Sequence, residues 1–524
     1  MSMKKEKSLL EKIEKKTKQR VYKWHRFFAM ITLVPVVLWC LSGIMHPFMA
    51  HFFKPEIKKE FVEPKVVDSV KVTFSIQEIL KVNKIDTFKN FRLVEMDGNW
   101  FYQVKWSNEK IDYFDASTTK KINNGDVIYA HWLARYFLDD HQSKIVKTTL
   151  LTQFDSQYKY INRYLPVYKV VFDRPDKMQV YVETGSSKLA TFNPVSRQAF
   201  IWFFDTFHNW SFLDAIATNS VRIVILTVLL GIILLSAISG LLIYGFFWKQ
   251  FKKIQPNHTN NKRISHRKYG LAFSIFCIGF AFSGVYHLTK KWNPVPLQEM
   301  VYQPDLKMDK IKLSNQNIAV DQKKLLNISL IQFQDSVYYR CELKADETEH
   351  APLAEEKWKK KVAPVADVVY INAATNVLDK EMDFKYAKFL ANYFDGGNST
   401  ASCCESDSFS EEKKCSIKAA PLLETKVLTE FDNREYGFVN KRLPVVKLAY
   451  DTPEETTYFV ATDASRIAAV VKNSDRAEGY SFAFFHKFLW MDWAGKTIRD
   501  LVMTLAAIGL FISAILGMRL LFKK

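Results

Sequence analysis

Four stretches of the chain are almost free of charged residues and are long enough to cross a lipid bilayer as α-helices. They are Phe27–Phe48, Ile223–Phe247, Tyr269–Leu288 and Leu501–Met518. Two long polar segments, 50–215 and 290–495, lie between these apolar stretches. The mean hydropathy of the 524-residue chain is −0.12 because the polar segments offset the apolar ones. The pattern predicts a membrane protein with four spans and two large extramembrane segments.

Within the polar segments the pattern changes between helical and strand periodicity. KVTFSIQEILKVN reads as a helix that begins after Thr73 or Ser75. Alternating strands, several of which run directly into turn residues, are indicated in WFYQVKW, KIDYFDAST, MQVYVETGSSKLA, VVYINAATNVLD and TYFVATDASRIAAVV. A helix followed by paired strands predicts small α+β modules in each polar segment.

The distribution of Lys and Arg predicts the orientation in the membrane. Ten of these residues precede Phe27, the short link between the second and third spans is strongly basic, and the chain ends with Arg519, Lys523 and Lys524. All three places fall on one side of a four-span topology, which is therefore expected to be cytoplasmic. The net charge of +19 partly reflects this rule. No basic–aromatic binding motif accompanies it, so we expect membrane lipid and no nucleic acid as a partner.

The sequence of the first half is repeated in the second half. NRYLPVYKVVFD (Asn162–Asp173) matches NKRLPVVKLAYD (Asn440–Asp451) at an offset of 278, and the same offset aligns His208 with His486. YAHWLARYF matches YAKFLANYF at an offset of 257, and the opening spans match at 241. The pattern predicts two parallel span–domain–span repeats, related by a pseudo-two-fold axis along the membrane normal.

Six of the eleven histidines occupy equivalent positions in the two halves: His25 with His266, His46 with His287, and His208 with His486. In each half 21 residues separate the first histidine from the second. An α-helix rotates by 100° and rises by 1.5 Å per residue. The second histidine is therefore rotated by only about 60° from the first around the helix axis, and it lies about 31 Å further along that axis. Two histidines therefore lie on one face of each odd-numbered span, near its opposite ends.

A glycine lies three residues before the second histidine in both halves, at Gly43 and Gly284. This spacing places the glycine on the histidine's face, one turn away. Without a side chain, this surface allows a flat macrocycle or another helix to approach closely. His208 and His486 each precede a span within aromatic sequence, which is typical of a membrane interface. Four histidines are thus expected near the external surface and two, His25 and His266, near the internal one.

Ionisable groups within a membrane are costly and often mark function. Neutral imidazole is a good ligand of haem iron, and bis-histidine ligation suits electron transfer. A single histidine at the end of a span is a common interfacial residue, but its repetition in both halves favours a function. His131, whose equivalent is a lysine, is expected to be structural. The other histidines are read as surface residues: His51, His141, His258 and His350.

The cysteines give little further information. Cys40 and Cys277 lie within spans, and no CxxCH motif is present for covalent haem attachment. Cys403, Cys404 and Cys415 lie in an external low-complexity loop, where a disulfide would be permitted but is not required.

The chain resembles the PepSY-associated transmembrane family, which includes ferric-siderophore reductases of the bacterial inner membrane. The resemblance is carried by HRFFAMITLVPVVLWCLSG and HRKYGLAFSIFCIGFAFSG, by FHNW and FHKF before the even-numbered spans, and by ISGLLIYGFFW. KIDYFDAST and VVYINAATNVL resemble the strand–turn of PepSY domains, although both lack the usual Thr-Gly turn. The resemblance implies haem b, with two groups expected, held by these matching histidines: His25, His46, His208, His266, His287 and His486.

The family resemblance implies that electrons cross the membrane to a ferric siderophore in the periplasm, where Fe(II) is released. An inner haem is expected between His25 and His266, and an outer haem, or two, at the other four histidines. The donor is expected to be a separate cytoplasmic reductase or a membrane quinol, because no dinucleotide-binding motif is present.

The resulting fold class is a four-helix transmembrane bundle with two periplasmic α+β, PepSY-like domains. The predicted organisation is a basic cytoplasmic N-terminus (1–26), TM1 (27–48), periplasmic domain 1 with an interfacial helix (49–215), TM2 (216–248), a cytoplasmic loop (249–266), TM3 (267–289), periplasmic domain 2 with a Cys-containing insertion (290–495), TM4 (496–520) and a cytoplasmic end (521–524).

Two other classes of function remain open. The chain would be a scaffold or peptidase-modulating protein if the PepSY-like modules bound a partner and no haem were held. It would be part of a siderophore or metal transporter if the spans formed an ion pathway, but the four apolar stretches contain no Asp, Glu, Lys or Arg.

Overall fold

The computed structural model describes residues 2–53, 55–253, 258–292, 294–345, 366–397, 420–432 and 435–522. Cys403, Cys404, Cys415 and His350 fall outside these residues, as does the side chain of His258. The helices are α1 (Ser2–Phe52), α2 (Ile76–Val82), α3 (Gly125–Leu138), α4 (Val195–Phe207), α5 (Asn219–Phe246), α6 (Trp248–Phe251), α7 (His258–Lys290), α8 (Met382–Asn392), α9 (Asn473–Phe485) and α10 (Lys496–Leu521).

Four of the described helices are long and apolar enough to span a membrane: α1, α5, α7 and α10. This confirms the prediction of a membrane protein with four spans. The helices extend beyond the apolar stretches that predicted them. α1 is continuous from the basic N-terminal segment through Pro35 and Pro47, and α7 begins at His258, inside the predicted 249–266 loop. Helical hydrogen bonding therefore continues past the point where the hydrophobic pattern ends.

The chain divides into two compact units. The first, which we call the helical unit, comprises 1–54, 196–294 and 474–524. In this unit α1 packs against α5 and α10, and α7 packs against the same two helices. The helices that each carry two of the sequence-equivalent histidines, α1 and α7, therefore occupy opposite corners of a four-helix arrangement.

The second unit, which we call the sheet unit, comprises 55–195 and 295–473. Its strands are β1 (Thr87–Phe88), β2 (Asn90–Met96), β3 (Asn99–Lys105), β4 (Ile111–Asp115), β5 (Lys121–Ile122), β6 (Ile145–Leu151), β7 (Val167–Phe172), β8 (Gln179–Glu183), β9 (Lys188–Asn193), β10 (Leu306–Lys307), β11 (Leu325–Phe333), β12 (Ser336–Lys344), β13 (Ala366–Asn372), β14 (Leu378–Asp379), β15 (Leu422–Leu428), β16 (Val445–Tyr450), β17 (Thr457–Ala461) and β18 (Arg466–Val471).

An eight-stranded sheet joins strands from the two halves of the sequence in the order β14-β13-β12-β11-β2-β3-β4-β5. The two halves meet at the antiparallel pair β11–β2, where Ser329 lies opposite Arg92. One face of this sheet is covered by apolar side chains that include Phe91, Tyr102 and Tyr339. The α+β composition of the polar segments was predicted, but their joining in one sheet was not.

Two four-stranded antiparallel sheets, β6-β7-β8-β9 and β15-β16-β17-β18, have the same strand order. α3 packs against β7 and β8, and α8 packs against β16 and β17. Beside each helix a buried tyrosine hydroxyl donates to an aspartate, from Tyr113 to Asp126 at 2.9 Å and from Tyr370 to Asp383 at 2.6 Å. These pairs satisfy polar atoms that would otherwise be buried without a partner.

Local sequence signals explain where some elements begin. The Oγ of Ser75 accepts from the backbone N–H of Glu78, and the Glu78 carboxylate accepts from the backbone N–H of Ser75. This capping box satisfies two backbone donors that the first turn of α2 leaves free. Of the two predicted positions, Ser75 is therefore the N-cap of α2.

Candidate functional site

All six sequence-equivalent histidines lie in the helical unit. One is near the middle of α1 and one near the beginning of α7, two are near the end of the same helices, and two directly follow α4 and α9. In that order they are His25 and His266, His46 and His287, and His208 and His486.

The rings of His25 and His266 are each anchored to a neighbouring helix by Nδ1. The Nδ1 of His25 donates to the carbonyl oxygen of Ser236 on α5 at 3.0 Å. The Nδ1 of His266 donates to the carbonyl oxygen of Ser513 on α10 at 3.1 Å. Because a carbonyl oxygen only accepts, Nδ1 carries the proton in both neutral rings, and Nε2 keeps its lone pair.

Each of these two rings lies directly against a glycine of the neighbouring helix. A Cβ atom at Gly240 would be 3.2 Å from Cε1 of His25, and a Cβ at Gly517 would be 3.2 Å from Cε1 of His266. Such contacts are tighter than ordinary van der Waals separation, so a larger side chain would move the ring. The two glycines thus keep space for the imidazoles between adjacent helices.

His208 and His486 are anchored by two serines. The Oγ of Ser42 lies 3.0 Å from Nδ1 of His208, and the Oγ of Ser283 lies 3.3 Å from Nδ1 of His486. Each Oγ also lies within hydrogen-bond distance of carbonyl oxygens three and four residues earlier in its own helix. When the hydroxyl donates to one of these carbonyls, Oγ accepts from a protonated Nδ1, and Nε2 is then free of the proton.

Aromatic rings connect the histidines near the ends of the helices. The ring centroid of Phe204 lies 5.7 Å from that of His46 and 4.4 Å from that of His208, on which it stacks. The centroids of His208 and His486 are 6.3 Å apart, with their planes at 83°. Residues from α4 and α9, which are distant in sequence, thus bring two imidazoles face to edge.

The second half repeats this arrangement. Phe482 stacks on His486 with a centroid distance of 4.5 Å and lies 4.7 Å from His287. The Nδ1 of His287 donates to Oε1 of Glu478 at 2.8 Å. For His46 the described residues include ring contacts but no hydrogen-bond partner. His46 and His287 therefore differ in their polar contacts.

Desolvation keeps the two central imidazoles neutral. Burial, followed by the nearby His46 and Lys291, lowers the pKa of His208 to about 4. Burial, followed by the charge of His208, lowers the pKa of His486 to about 3. Both side chains are consequently neutral at pH 7, which is the state in which imidazole coordinates a metal.

The two glycines selected from the sequence have different surroundings. Among the described residues, no atom lies within 4 Å of a Cβ placed on Gly43, whereas Cδ1 of Leu230 lies 3.1 Å from a Cβ placed on Gly284. The space predicted beside the histidine is therefore open in the first half and occupied by Leu230 in the second.

His51 was predicted to be a surface residue, and it is exposed. Its Nε2 lies 3.0 Å from Oδ2 of Asp500, and the Asp500 side chain is only 8% exposed. Asp500 also lies within 3.5 Å of Lys496 and Arg499. These charged residues occupy the first turns of α10, just before the apolar stretch, so the stretch itself remains free of charge. His131 lies in the sheet unit, where its Nε2 and the Oγ1 of Thr148 form a hydrogen bond of 2.6 Å. This contact is structural, as predicted.

The serines and glycines that fix the histidine rings were not identified from the sequence. Two signals were available: the Ser-Gly pair before each second histidine contains Ser42 and Ser283, and an offset of 277 aligns Ser236 with Ser513 and Gly240 with Gly517. Their role depends on which helix each ring faces, which the one-dimensional pattern does not specify.

Within the described residues no group of three or more His, Cys, Asp or Glu side chains is arranged to hold a metal ion.

The fold and this site together define a membrane protein with four candidate spans and half-buried histidines whose rings are held by hydrogen bonds at Nδ1. Neither the comparison with protein-family models nor that with curated proteins finds a match to the chain.

Proposed function

We propose that this chain is a haem b-containing reductase of the bacterial inner membrane. In this proposal it passes electrons across the membrane to the iron of a ferric siderophore in the periplasm and releases Fe(II). The two halves would be parallel repeats with PepSY-like domains on the periplasmic side, and both termini would be cytoplasmic. The basic flanks of the four spans support this orientation.

One observation carries the proposal. Four buried or half-buried histidines, at equivalent positions of the two halves, use Nδ1–H for a hydrogen bond within the protein: His25, His208, His266 and His486. Metal-bound histidines typically donate the proton of the second ring nitrogen to such an acceptor, which fixes the tautomer and orients the ring. The same arrangement at both ends of α1 and α7 supports ligand roles better than interfacial packing.

The spacing of His208 and His486 fits one bis-histidine site. The ring centroids of His208 and His486 are 6.3 Å apart. This proximity supports His208 and His486 as the two residues that would hold one haem. His25 and His266, on the opposite helices α1 and α7, are the candidates for a second pair.

The protein residues would bind and tune the cofactor. Haem b, when bound, supplies reversible one-electron chemistry. Ser42 and Ser283 hold the imidazoles of His208 and His486 in the ligating tautomer, and Gly240 and Gly517 leave room for the rings of the other pair. His208 and His486 would together hold one haem, which would supply electrons to the substrate iron.

The test is the absorption spectrum of the detergent-purified full chain, recorded oxidised and then dithionite-reduced, with a pyridine haemochrome assay. We expect sharp reduced α-bands and about two haem b groups per chain. His208→Ala and His266→Ala should each remove about one of the two groups. His141→Ala, a histidine outside the site, is the matched control and should retain both.

A protein that stays colourless after expression with added haem would contradict the reductase and favour the scaffold or peptidase-modulating function. Haem that is retained in full by both ligand variants would contradict the assignment of the histidines.

A further inference from the structure

A cavity of about 480 Å³ lies entirely within the sheet unit, at the junction of β2 and β11. One wall is the polar face of the eight-stranded sheet, and the others are loops from the two four-stranded sheets. Its volume is in the range of small-molecule sites. Apolar side chains, including Leu165, Pro166, Leu443 and Pro444, form part of the lining. The cavity therefore has the size and mixed polarity expected for an organic ligand.

Three arginines that line this cavity are almost completely buried. The exposed fractions are 3% for Arg340, 7% for Arg442 and 7% for Arg466. Arginine is rarely buried to this extent unless its charge is paired. The contacts of each guanidinium therefore indicate whether the protein itself supplies the missing negative charge.

The protein supplies a negative charge for one of the three arginines. Nη1 of Arg340 lies 2.6 Å from Oε1 of Glu342. In contrast, Arg466 donates from Nη2 to the uncharged carbonyl oxygen of Leu297 at 2.7 Å. Among the described residues, Nε of Arg340 and Nε of Arg466 are buried without a hydrogen-bond partner. Two buried donors of cavity-lining residues are therefore left without a partner, which is unfavourable.

Arg442 has no carboxylate partner in the described part of the chain. Its guanidinium lies over the ring of Tyr164, 4.4 Å from the centroid, which leaves its N–H groups available at the edge of the stack. Burial, followed by the charge of Arg442, lowers the pKa of Arg466 to about 9. The two cations are thus close enough to repel each other, while Glu183 and Asp463, which also line the cavity, act on Arg466 in the opposite direction.

We propose that this cavity is a binding site for a small organic anion with two or more carboxylate groups, held by Arg442 and Arg466. Guanidinium groups recognise carboxylates through two parallel hydrogen bonds, and two such groups side by side match a ligand with several carboxylates. The apolar loops would contact its carbon skeleton. This site goes beyond the proposed reductase function and does not depend on haem. A free polycarboxylate and its ferric chelate offer the same chemistry.

The test uses the full chain in detergent, with citrate as the free polycarboxylate, ferric citrate as the chelate, and acetate at matched ionic strength as the monocarboxylate control. Calorimetric titration and thermal unfolding are measured for each. We expect citrate or ferric citrate to bind and to raise Tm, and acetate to do neither. Tighter binding of ferric citrate would identify the chelate as the ligand, and tighter binding of citrate would identify the free acid.

Arg442→Met keeps most of the side-chain volume and removes the unpaired charge. We expect its affinity for the bound probe to fall by about tenfold or more, while its Tm without ligand stays equal to or above that of the wild type. A purely structural role of Arg442 predicts a lower Tm instead. Lys81→Gln, an exposed cation outside the cavity, is the control for net charge and should bind as the wild type does.

Arg466→Gln provides an independent variant and should also lose binding. The proposal is overturned if citrate and ferric citrate bind no better than acetate, or if both arginine variants bind them as tightly as the wild type.

Discussion

At the scale of single residues, the serine hydroxyls beside His208 and His486 determine which ring nitrogen carries the proton. Ser42 and Ser283 have already donated their own protons to backbone carbonyl oxygens of α1 and α7. A serine in this position is thus an acceptor for Nδ1–H, and it makes the imidazole a stronger electron donor to a metal at Nε2.

Ser42→Ala and Ser283→Ala should weaken haem binding at the outer site. Loss of an acceptor of this kind typically costs about tenfold or more in metal affinity. The weaker donation should also raise the midpoint potential of one haem, measured by redox titration alongside haem transfer to an acceptor protein. Ser274→Ala is the matched control, because Ser274 on α7 bonds only to the carbonyl oxygen of Leu271 among the described residues. An unchanged potential in both alanine variants would contradict the proposed role.

A second residue-scale feature is a carboxylate of the sheet unit. Asp140 accepts from Nη1 of Arg174 at 2.6 Å and from the hydroxyl and backbone N–H groups of Ser143. The Ser143 backbone N–H makes the largest contribution to holding the pKa of Asp140 well below its usual range. A carboxylate with a depressed pKa stabilises the fold above its unfolded-state pKa, and this contribution is lost as the pH falls below about 4.

Asp140→Asn should therefore lower stability at pH 7 by about 2 kcal/mol, the usual cost of hydrogen bonds to a charged group. The difference from the wild type should shrink as the pH falls towards 3, because the Asp140 carboxylate of the unfolded chain then takes up a proton while that of the folded chain remains charged. Thermal unfolding between pH 3 and pH 7 measures this. Asp139→Asn, at an exposed neighbouring residue, is expected to change little. A stability difference for Asp140→Asn that is independent of pH would contradict the account.

At the scale of elements, close helix contacts create the positions of His25 and His266. The glycines at these contacts, Gly240 and Gly517, leave 3.2 Å between a hypothetical Cβ and the imidazole. Elsewhere in α5, no described atom lies within 4 Å of a Cβ placed on Gly231. The same helix therefore contains both a critical glycine and a tolerant one.

Gly240→Val should displace the His25 ring and break its hydrogen bond to Ser236. We expect the pyridine haemochrome assay to give about one haem per chain instead of two, and Gly517→Val should behave likewise. Gly231→Val introduces the same side chain into α5 without a ring beside it and should leave the haem content unchanged. Equal haem loss in all three variants would indicate general helix disruption and would contradict a specific role of the contact.

Elements set by local periodicity were predictable from the sequence, and elements set by contacts between distant segments were not. The apolar stretches predicted α1, α5, α7 and α10, and the segment after Thr73 or Ser75 was predicted to begin α2. The joining of β2 to β11 depends on how two remote segments meet, and neither strand carries a signal for that pairing. For the same reason the six histidines were predictable as candidates, whereas the partners of their Nδ1 atoms were not.

At the scale of the whole molecule, the proposed topology puts the sheet unit in the periplasm and both termini in the cytoplasm. Alkaline phosphatase fused after Lys524 should be inactive, since this enzyme needs an oxidising compartment, and a fusion within the sheet-unit sequence after Asn193 should be active. The opposite pattern would reverse the orientation and, with it, the direction of electron transfer.

Electron transfer across a membrane is the central claim, and proteoliposomes test it most directly. Vesicles with the protein oriented so that its sheet unit faces the lumen would enclose a ferric siderophore and a coloured Fe(II) chelator, with a membrane-impermeant reductant added outside. We predict that Fe(II) accumulates inside at a rate proportional to the haem content, and that His208→Ala and His266→Ala each reduce this rate at least about tenfold. Fe(II) formation no faster than in protein-free vesicles would contradict the account, as would a rate unaffected by both substitutions.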